Sequence, residues 1–157
     1  MKHGPNNIKN YLEIHESVLG EYTEKHSDEP RIYIAKYSED SIHLLLLCTE
    51  IKFKTYSGLW LRCDISKTAK KDMAGRVKTV RYSYTVSSKK NCIFRYDSPD
   101  PDKTEFDSEN HHTYHHKHDY RTGDEVITKI PDDAWPHVNE FFEEVLELTS
   151  KDLSNIK

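Results

Sequence analysis

The sequence predicts an α+β fold, in which one antiparallel sheet carries an N-terminal and a C-terminal helix on the same face. Two observations support this. Apolar residues alternate with a period of two in several central segments, whereas both ends show helical spacing of three and four. Antiparallel strands flanked by only two helices bury their apolar side against one helical layer. The chain has 157 residues, so we expect a single domain over residues 1–157.

The composition is that of a polar but folded protein. Charged residues make up 32% of the chain and aromatic residues 11%, which predicts a core rich in tyrosine and phenylalanine. No apolar run approaches the roughly 20 residues of a membrane helix, and the first residues lack the apolar stretch of a signal peptide. The three cysteines show no CxxC spacing and are typical of thiols in a reducing compartment. We therefore expect a cytoplasmic protein without membrane contact.

The N-terminal helix is predicted from Asn6 to about Ser17. Asn6 or Asn7 can cap it, because an asparagine side chain accepts a hydrogen bond from a backbone N–H of the first turn. Four residues keep helical spacing and define its buried face: Ile8, Tyr11, Leu12 and His15.

The C-terminal helix is predicted over residues 133–149. Asp132 or Asp133 can cap it, and Pro136 fits its first turn. Its apolar face consists of Trp135, Val138, Phe142, Val145 and Thr149, widened by Phe141 and Leu148. Burying such a side chain against the sheet contributes about 1.5–3 kcal/mol.

Strands are predicted where apolar alternation is bounded by turn residues, at 31–37, 42–48, 51–56, 59–65, 78–86, 92–97 and 125–130. Residues 87–91 form the turn of a hairpin between two of them. In the 78–86 strand, the residues expected on one face are Val80, Tyr82, Tyr84 and Val86.

Charge is distributed unevenly along the chain. Residues 67–95 carry nine Lys or Arg against one acidic residue, and residues 96–125 carry nine acidic residues against three basic ones. We expect a loop or short helix at 66–75 and an exposed acidic loop at 97–109. The basic stripe indicates either a site for a polyanion or a solvated sheet edge, and charge alone leaves both open.

A histidine-rich segment follows the acidic loop. Five of the eight residues from 111 to 118 are histidine, namely His111, His112, His115, His116 and His118. Histidine takes up and releases protons near neutral pH. One neutral imidazole can deprotonate a ribose 2′-hydroxyl while a protonated one donates to the leaving 5′-oxygen and a cation stabilises the phosphorane. This chemistry needs no metal and no other cofactor.

Metal binding is an alternative function for the same histidine-rich segment. His116 and His118 share a face if they lie on a strand, and His111 and His115 share a face if they lie on a helix. A nearby acid would complete the ligand set: Asp119, Asp107 or Glu105. Spacing does not settle the backbone geometry, so metal-free catalysis, a metal site and a solvated histidine loop all stay open.

The end of the 92–97 strand supplies groups that suit a phosphate site. Arg95 can clamp a phosphate, and Asp97 can orient an imidazole or form a structural pair with Arg95. The residues expected to carry catalysis are His115, His116, His118, Asp97 and Tyr96. Those expected to bind substrate are Arg95, Lys117, His111, His112, Arg81 and Tyr84, although core packing is favoured for Tyr82 and Tyr84.

Three motifs together resemble one known family. They are Tyr82-Ser83-Tyr84, Phe94-Arg95-Tyr96-Asp97 and Tyr114-His115-His116-Lys117-His118, followed by a strand and an amphipathic helix. In this order they resemble the TumE-like toxins of prokaryotic toxin–antitoxin modules, over roughly residues 76–150. The resemblance implies a toxin neutralised by an antitoxin encoded next to it, typically a helix-turn-helix DNA-binding protein.

The sequence departs from that pattern in two places. Ser98-Pro99-Asp100 stands where the family usually has Asn-Ala-Pro, and an acidic insert at 98–110 moves His111 and His112 downstream. Residues 57–71 look like additional material. We expect a toxin acting as a metal-independent ribonuclease on RNA, an activity inferred from the histidines. The alternative is a non-enzymatic module that binds nucleic acid or protein, with or without zinc, and a homodimer stays open.

Overall fold

The computed structural model of the chain describes residues 6–26, 31–34, 44–54, 60–89, 91–100 and 105–149. Its strands are β1 (Asn6–Asn7), β2 (Arg31–Ile34), β3 (Leu44–Lys54), β4 (Trp60–Lys71), β5 (Arg76–Ser88), β6 (Asn91–Asp97), β7 (His116–Asp119) and β8 (Val126–Lys129). Its helices are α1 (Ile8–His26), a short 3₁₀-helix (His111–Thr113) and α2 (Val138–Thr149).

The described strands form one antiparallel sheet in the order β2-β3-β4-β5-β6-β7-β8. Strand β1 adds to the start of β5. Helices α1 and α2 touch each other and both contact β3 and β5, so they cover the same face of the sheet. The predicted α+β fold class is confirmed. We call the opposite face of the sheet the open face.

The prediction for residues 66–75 is wrong as far as Lys71, because β4 continues to that residue before a turn. Every second side chain of β4 is buried, and Lys67 occupies one of these positions with 0% exposure. Its Nζ lies 2.8 Å from Nε2 of His15 on α1. A strand is predicted from apolar residues at alternate positions. Because a lysine occupies one of the buried positions of β4, the sequence pattern does not indicate that the strand continues.

The strands predicted at 42–48 and 51–56 are one strand, β3. The register between β3 and β4 shifts between Cys48 and Ile51. Such an irregularity interrupts the alternation of side chains, which is why the sequence indicates two strands. The outer ends of these two predictions, and the last three residues of the 31–37 prediction, lie outside the described residues.

The face predicted for Val80 is wrong. The register between β4 and β5 shifts there, so Val80 is the extra residue of a bulge between Thr79 and Arg81. Val80 is therefore 37% exposed, whereas Thr79 is buried. The residues beyond the bulge are buried together as predicted: Tyr82, Tyr84 and Val86.

Helix α1 begins at the predicted cap. The side-chain oxygen of Asn7 accepts a hydrogen bond of 2.8 Å from the backbone N–H three residues on. The helix runs to His26, beyond the predicted end at Ser17, because its buried face continues. That face consists of Tyr11, His15, Leu19 and Tyr22.

Helix α2 begins at Val138, five residues later than predicted. Trp135 precedes Pro136, and a proline disfavours helical geometry at the residue before it. The predicted aspartate cap is therefore wrong, and the His137 backbone N–H instead donates to Oε1 of Glu140 at 3.2 Å. The predicted packing is confirmed, since the three anchors are buried: Trp135, Phe142 and Val145.

Candidate functional site

A strand that the sequence did not predict builds the candidate site. The histidine-rich segment at 111–118 continues into β7, which lies between β6 and β8. Its four residues are all polar, so they give no hydrophobic signal. The register with β6 places the following residues opposite one another: His116 and Asp97, Lys117 and Tyr96, His118 and Arg95.

The pleat of β7 divides its side chains between the two faces of the sheet. Lys117 lies on the helix side, where its Nζ pairs with Glu144 of α2. The Tyr96 hydroxyl donates to the same carboxylate at 2.6 Å. His116 and His118 consequently lie on the open face, as do their partners on β6.

The described residues of the connection between β6 and β7 fold back onto the open face. At its start, the Ser98 hydroxyl accepts a hydrogen bond of 2.9 Å from a β5 backbone N–H. At its end, Asn110 caps the 3₁₀-helix by accepting the His112 backbone N–H at 3.1 Å. The two parts are joined because the Asp100 backbone N–H donates to the His112 carbonyl at 2.7 Å.

Three imidazoles meet on the open face. The ring centres of His116 and His118 are 4.9 Å apart. The folded connection brings His111 over them, with its ring centre 4.9 Å from His116 and 5.3 Å from His118. We call His111, His116 and His118 the histidine cluster.

Hydrogen bonds hold the orientation of the two β7 rings. Nδ1 of His116 lies 2.9 Å from the Tyr114 carbonyl, and Nδ1 of His118 lies 2.6 Å from Oε1 of Glu125. Both partners accept hydrogen bonds, so each Nδ1 carries a proton and a neutral ring has its lone pair on Nε2. Both Nε2 atoms are buried and have no hydrogen-bond partner among the residues that the structure describes.

A carboxylate and a guanidinium complete the cluster. Oδ2 of Asp97 lies 3.7 Å from Nε2 of His116 and 3.7 Å from Nε2 of His118. The same oxygen accepts a hydrogen bond of 2.6 Å from Nε of Arg95. The Arg95 side chain is 39% exposed and therefore accessible to a ligand on the open face.

Burial and hydrogen bonding shift the protonation of this site. Desolvation lowers the pKa of His116 and of His111 below the ordinary 6.5. Hydrogen bonds from His118 and Tyr120 lower the pKa of Glu125 below its ordinary 4.5. Glu125 is therefore a charged acceptor at neutral pH.

The structure places several of the predicted site residues on the helix side. The Tyr82 hydroxyl lies 3.0 Å from Nδ1 of His115, and the ring of His115 stacks on Trp135 at 5.4 Å. Tyr84 is fully buried in the core. The sheet therefore separates these residues, and with them Tyr96 and Lys117, from the histidine cluster.

Basic side chains lie on the open face of β4 and β5. Lys70 stands opposite Lys78 in the register, and both are exposed. Arg81 is exposed further along β5, and Arg62 on β4 pairs with Asp64 at 3.1 Å. Strand β5 pairs with β6, which carries Arg95, so the basic side chains of β5 and Arg95 lie on neighbouring strands.

The three clustered histidines can also hold a metal ion. One ring nitrogen from each lies within 4.8 Å of the others, and no other such group occurs in the described part of the chain. The acids predicted to complete a ligand set lie elsewhere. Asp119 pairs with Arg121 at 2.9 Å, and Asp107 and Glu105 are exposed.

Sequence reasoning missed Glu125 and the Tyr114 carbonyl. Both fix ring orientations in β7. Tyr114 stands in the motif that ends at His118, but the motif gives no role to its backbone carbonyl, and Glu125 stands in no quoted motif. The signal for Glu125 was its position immediately before β8, the strand paired with β7, and using it requires β7 to be known first. A backbone carbonyl leaves no signal in a sequence.

Comparisons with known proteins complete this description. Among the described residues, no helix is long and apolar enough to cross a membrane. Searches of curated proteins and of solved structures found no significant match. The family model described as Toxin TumE matches residues 28–149. The match includes residues 57–71, which were predicted to be additional material, and it confirms the resemblance. The chain therefore belongs to the TumE toxin family.

Proposed function

We propose that this toxin is a ribonuclease whose reaction takes place at His116 and His118 on the open face. The observation that supports it best is the arrangement of the two rings. Each Nδ1 is held by an acceptor, and both Nε2 atoms face one carboxylate beside an accessible guanidinium. Two oriented imidazoles next to a cation are the groups that metal-free cleavage of RNA requires.

His116 is assigned the role of general base. Burial lowers its pKa below 6.5, so the neutral ring predominates at pH 7. Its Nδ1–H donates to the Tyr114 carbonyl, which leaves the Nε2 lone pair to take the proton of a ribose 2′-hydroxyl. The 2′-oxygen then attacks the adjacent phosphorus.

His118 is assigned the role of general acid. A protonated His118 donates from Nδ1 to Glu125, and its Nε2–H faces Asp97. Transfer of the Nε2 proton to the 5′-oxygen releases that oxygen as a hydroxyl. The products are then a 2′,3′-cyclic phosphate and a 5′-hydroxyl end.

Arg95 is assigned to the phosphate. Its hydrogen bond to Asp97 holds the guanidinium beside both reacting rings, and its remaining N–H groups can stabilise the charge that develops on the phosphorane. Arg81 and Lys78 on β5 and Lys70 on β4 would contact neighbouring phosphates, without reading the base sequence.

The ends of the cleaved RNA test this mechanism. Purified toxin should cleave RNA in the presence of EDTA and leave 2′,3′-cyclic phosphate ends, which are identified by mass spectrometry of a short labelled substrate. A substrate with 2′-deoxyribose at the cleaved position should remain intact, because it lacks the attacking hydroxyl. Cleavage of that control, or 5′-phosphate ends, would contradict the proposal.

The absence of any cleavage would favour the other reading, a module that binds nucleic acid or protein without cutting it. Binding of uncut RNA, measured by fluorescence anisotropy, would then be the remaining activity. Its affinity should fall as salt rises, because Lys and Arg contacts to phosphate release counterions.

Membership of the family implies an antitoxin partner, and we propose that it is a helix-turn-helix protein acting with the toxin in the cytoplasm. The antitoxin should cover the open face, since this would block the histidine cluster. Hydrogen–deuterium exchange of the complex should show new protection at residues 105–119. The internal control is α1, on the other face, whose exchange should be unchanged. Protection confined to α1 would show that the antitoxin acts from the helix side.

A further inference from the structure

We infer that His111, His116 and His118 form a binding site for one divalent transition-metal ion of the zinc class. The binding itself is independent of the proposed ribonuclease activity, and its effect on cleavage rests on that proposal. Three ring nitrogens, one from each residue, lie within 4.8 Å of one another. Two of the three residues are buried on a regular strand, so their positions are set by the fold.

The first argument is the orientation of the two β7 rings. The Tyr114 carbonyl and the Glu125 carboxylate accept from Nδ1 of His116 and His118, respectively. Histidines that bind metals commonly donate their other N–H to a carbonyl or a carboxylate, which selects the tautomer and raises the basicity of the ligating nitrogen. In this protein the acceptor is a backbone carbonyl for His116 and a carboxylate for His118.

The second argument is the state of the two ligating nitrogens. Among the described residues, Nε2 of His116 and Nε2 of His118 have no hydrogen-bond partner, and both atoms are buried in residues that are 1% and 3% exposed. A buried polar atom left without a partner costs about 1–3 kcal/mol. A metal ion that accepts both lone pairs removes this cost, and the nearby Asp97 carboxylate, 3.7 Å away, favours a cation at the same place.

Ligand type and distance determine the class of metal. Three imidazoles suit Zn²⁺ and related first-row ions, and three protein ligands leave a fourth position open. Tetrahedral zinc, with bonds of about 2.0–2.1 Å, sets its nitrogen ligands about 3.4 Å apart. The cluster must therefore contract by at most about 1.4 Å. His111 can supply this movement, since it is half-exposed on the short 3₁₀-helix rather than in the sheet.

Metal binding and the proposed catalysis require the same lone pair. Nε2 of His116 must be free to take a proton in the ribonuclease mechanism, and in the metal complex it is a ligand. Occupancy by zinc should therefore switch the ribonuclease off.

Direct titration tests the site without any RNA. Metal-free toxin, prepared with a chelator that is then removed, should bind one Zn²⁺ per chain by calorimetry. It should also give the visible absorption of tetrahedral cobalt when Co²⁺ is added. His111→Ala, His116→Ala and His118→Ala should each abolish the cobalt signal. His112→Ala removes the exposed neighbour of His111 and should bind as tightly as the unchanged protein.

Glu125→Gln separates metal binding from folding, because Glu125 is an exposed side chain whose replacement leaves the core intact. Loss of this charged partner should weaken zinc binding about 10–100-fold. Circular dichroism should confirm that each variant is folded. Equal zinc affinity in the unchanged protein and in the triple variant lacking all three clustered histidines would overturn the inference.

Cleavage assays on the same samples distinguish this inference from the proposed function. RNA cleavage in EDTA that stops when one equivalent of Zn²⁺ is added supports both. Cleavage in EDTA with no zinc bound at the cluster overturns the metal site and leaves the proposed function intact. Cleavage only when zinc is bound supports the site and overturns the metal-free mechanism.

Discussion

Replacing His116 or His118 with alanine is expected to slow RNA cleavage by about 10²–10⁴, the usual contribution of one positioned proton-transfer group. The two losses should not multiply in the double variant, because the base and the acid act in one concerted unit. The measurement is single-turnover cleavage of a short labelled RNA in EDTA. These are the largest functional effects that the site predicts.

Two controls separate catalysis from folding. His116 is buried, so His116→Gln, which fills more of the space than alanine, should keep the fold and still lose the activity. Lys9→Ala removes an exposed positive charge on α1 and should leave the rate unchanged. If both alanine variants retained more than about a tenth of the rate, the histidines would not be the proton-transfer groups.

Phe142→Ala is expected to lower the free energy of unfolding by about 3–5 kcal/mol, the range for removing a buried aromatic ring. Phe142 is fully buried on α2, and its ring stacks on Tyr22 of α1 at 4.8 Å. Its loss leaves a cavity where the two helices meet. Chemical denaturation measures the change, and the melting temperature should fall by about 2–4 °C for each kcal/mol.

The neighbouring residue provides the matched control. Glu143→Ala changes an exposed position of the same helix and should alter stability by less than about 0.5 kcal/mol. A similarly small effect of Phe142→Ala would mean that α2 is not docked on the sheet as described.

Local signals in the sequence were enough for the fold class. The spacing of the apolar residues in α2 identifies its buried face wherever the helix begins, since one face of a helix repeats every three to four residues. The turn predicted at 87–91 separates two strongly alternating segments, which indicates a hairpin, and β5 and β6 pair as one. The turn itself is shorter than predicted, because Ser88 and Asn91 already pair with each other as strand residues. The order of the tyrosine, arginine and histidine motifs was sufficient to predict the family.

Local signals failed where a long-range contact overrode them. Lys67 lies in the core beside His15 of α1, a contact between residues 52 apart in the chain. Strand β7 consists of polar residues and is held by its neighbours β6 and β8. A pattern of apolar residues predicts neither the burial of Lys67 nor strand β7. Both depend on partners distant in the chain, which are His15 for Lys67 and the neighbouring strands for β7.

The sequence by itself determined which residue types are available to the site: five histidines within eight positions, after a strand that ends in Arg95 and Asp97. Only the tertiary structure decided which of them meet. A strand turns successive side chains to opposite faces, so His116 and His118 join Arg95 and Asp97 while Lys117 turns toward α2. His111 joins them because the described end of the β6–β7 connection lies over the open face. The register between strands and the path of that connection result from contacts distant in the chain, which residue spacing does not encode.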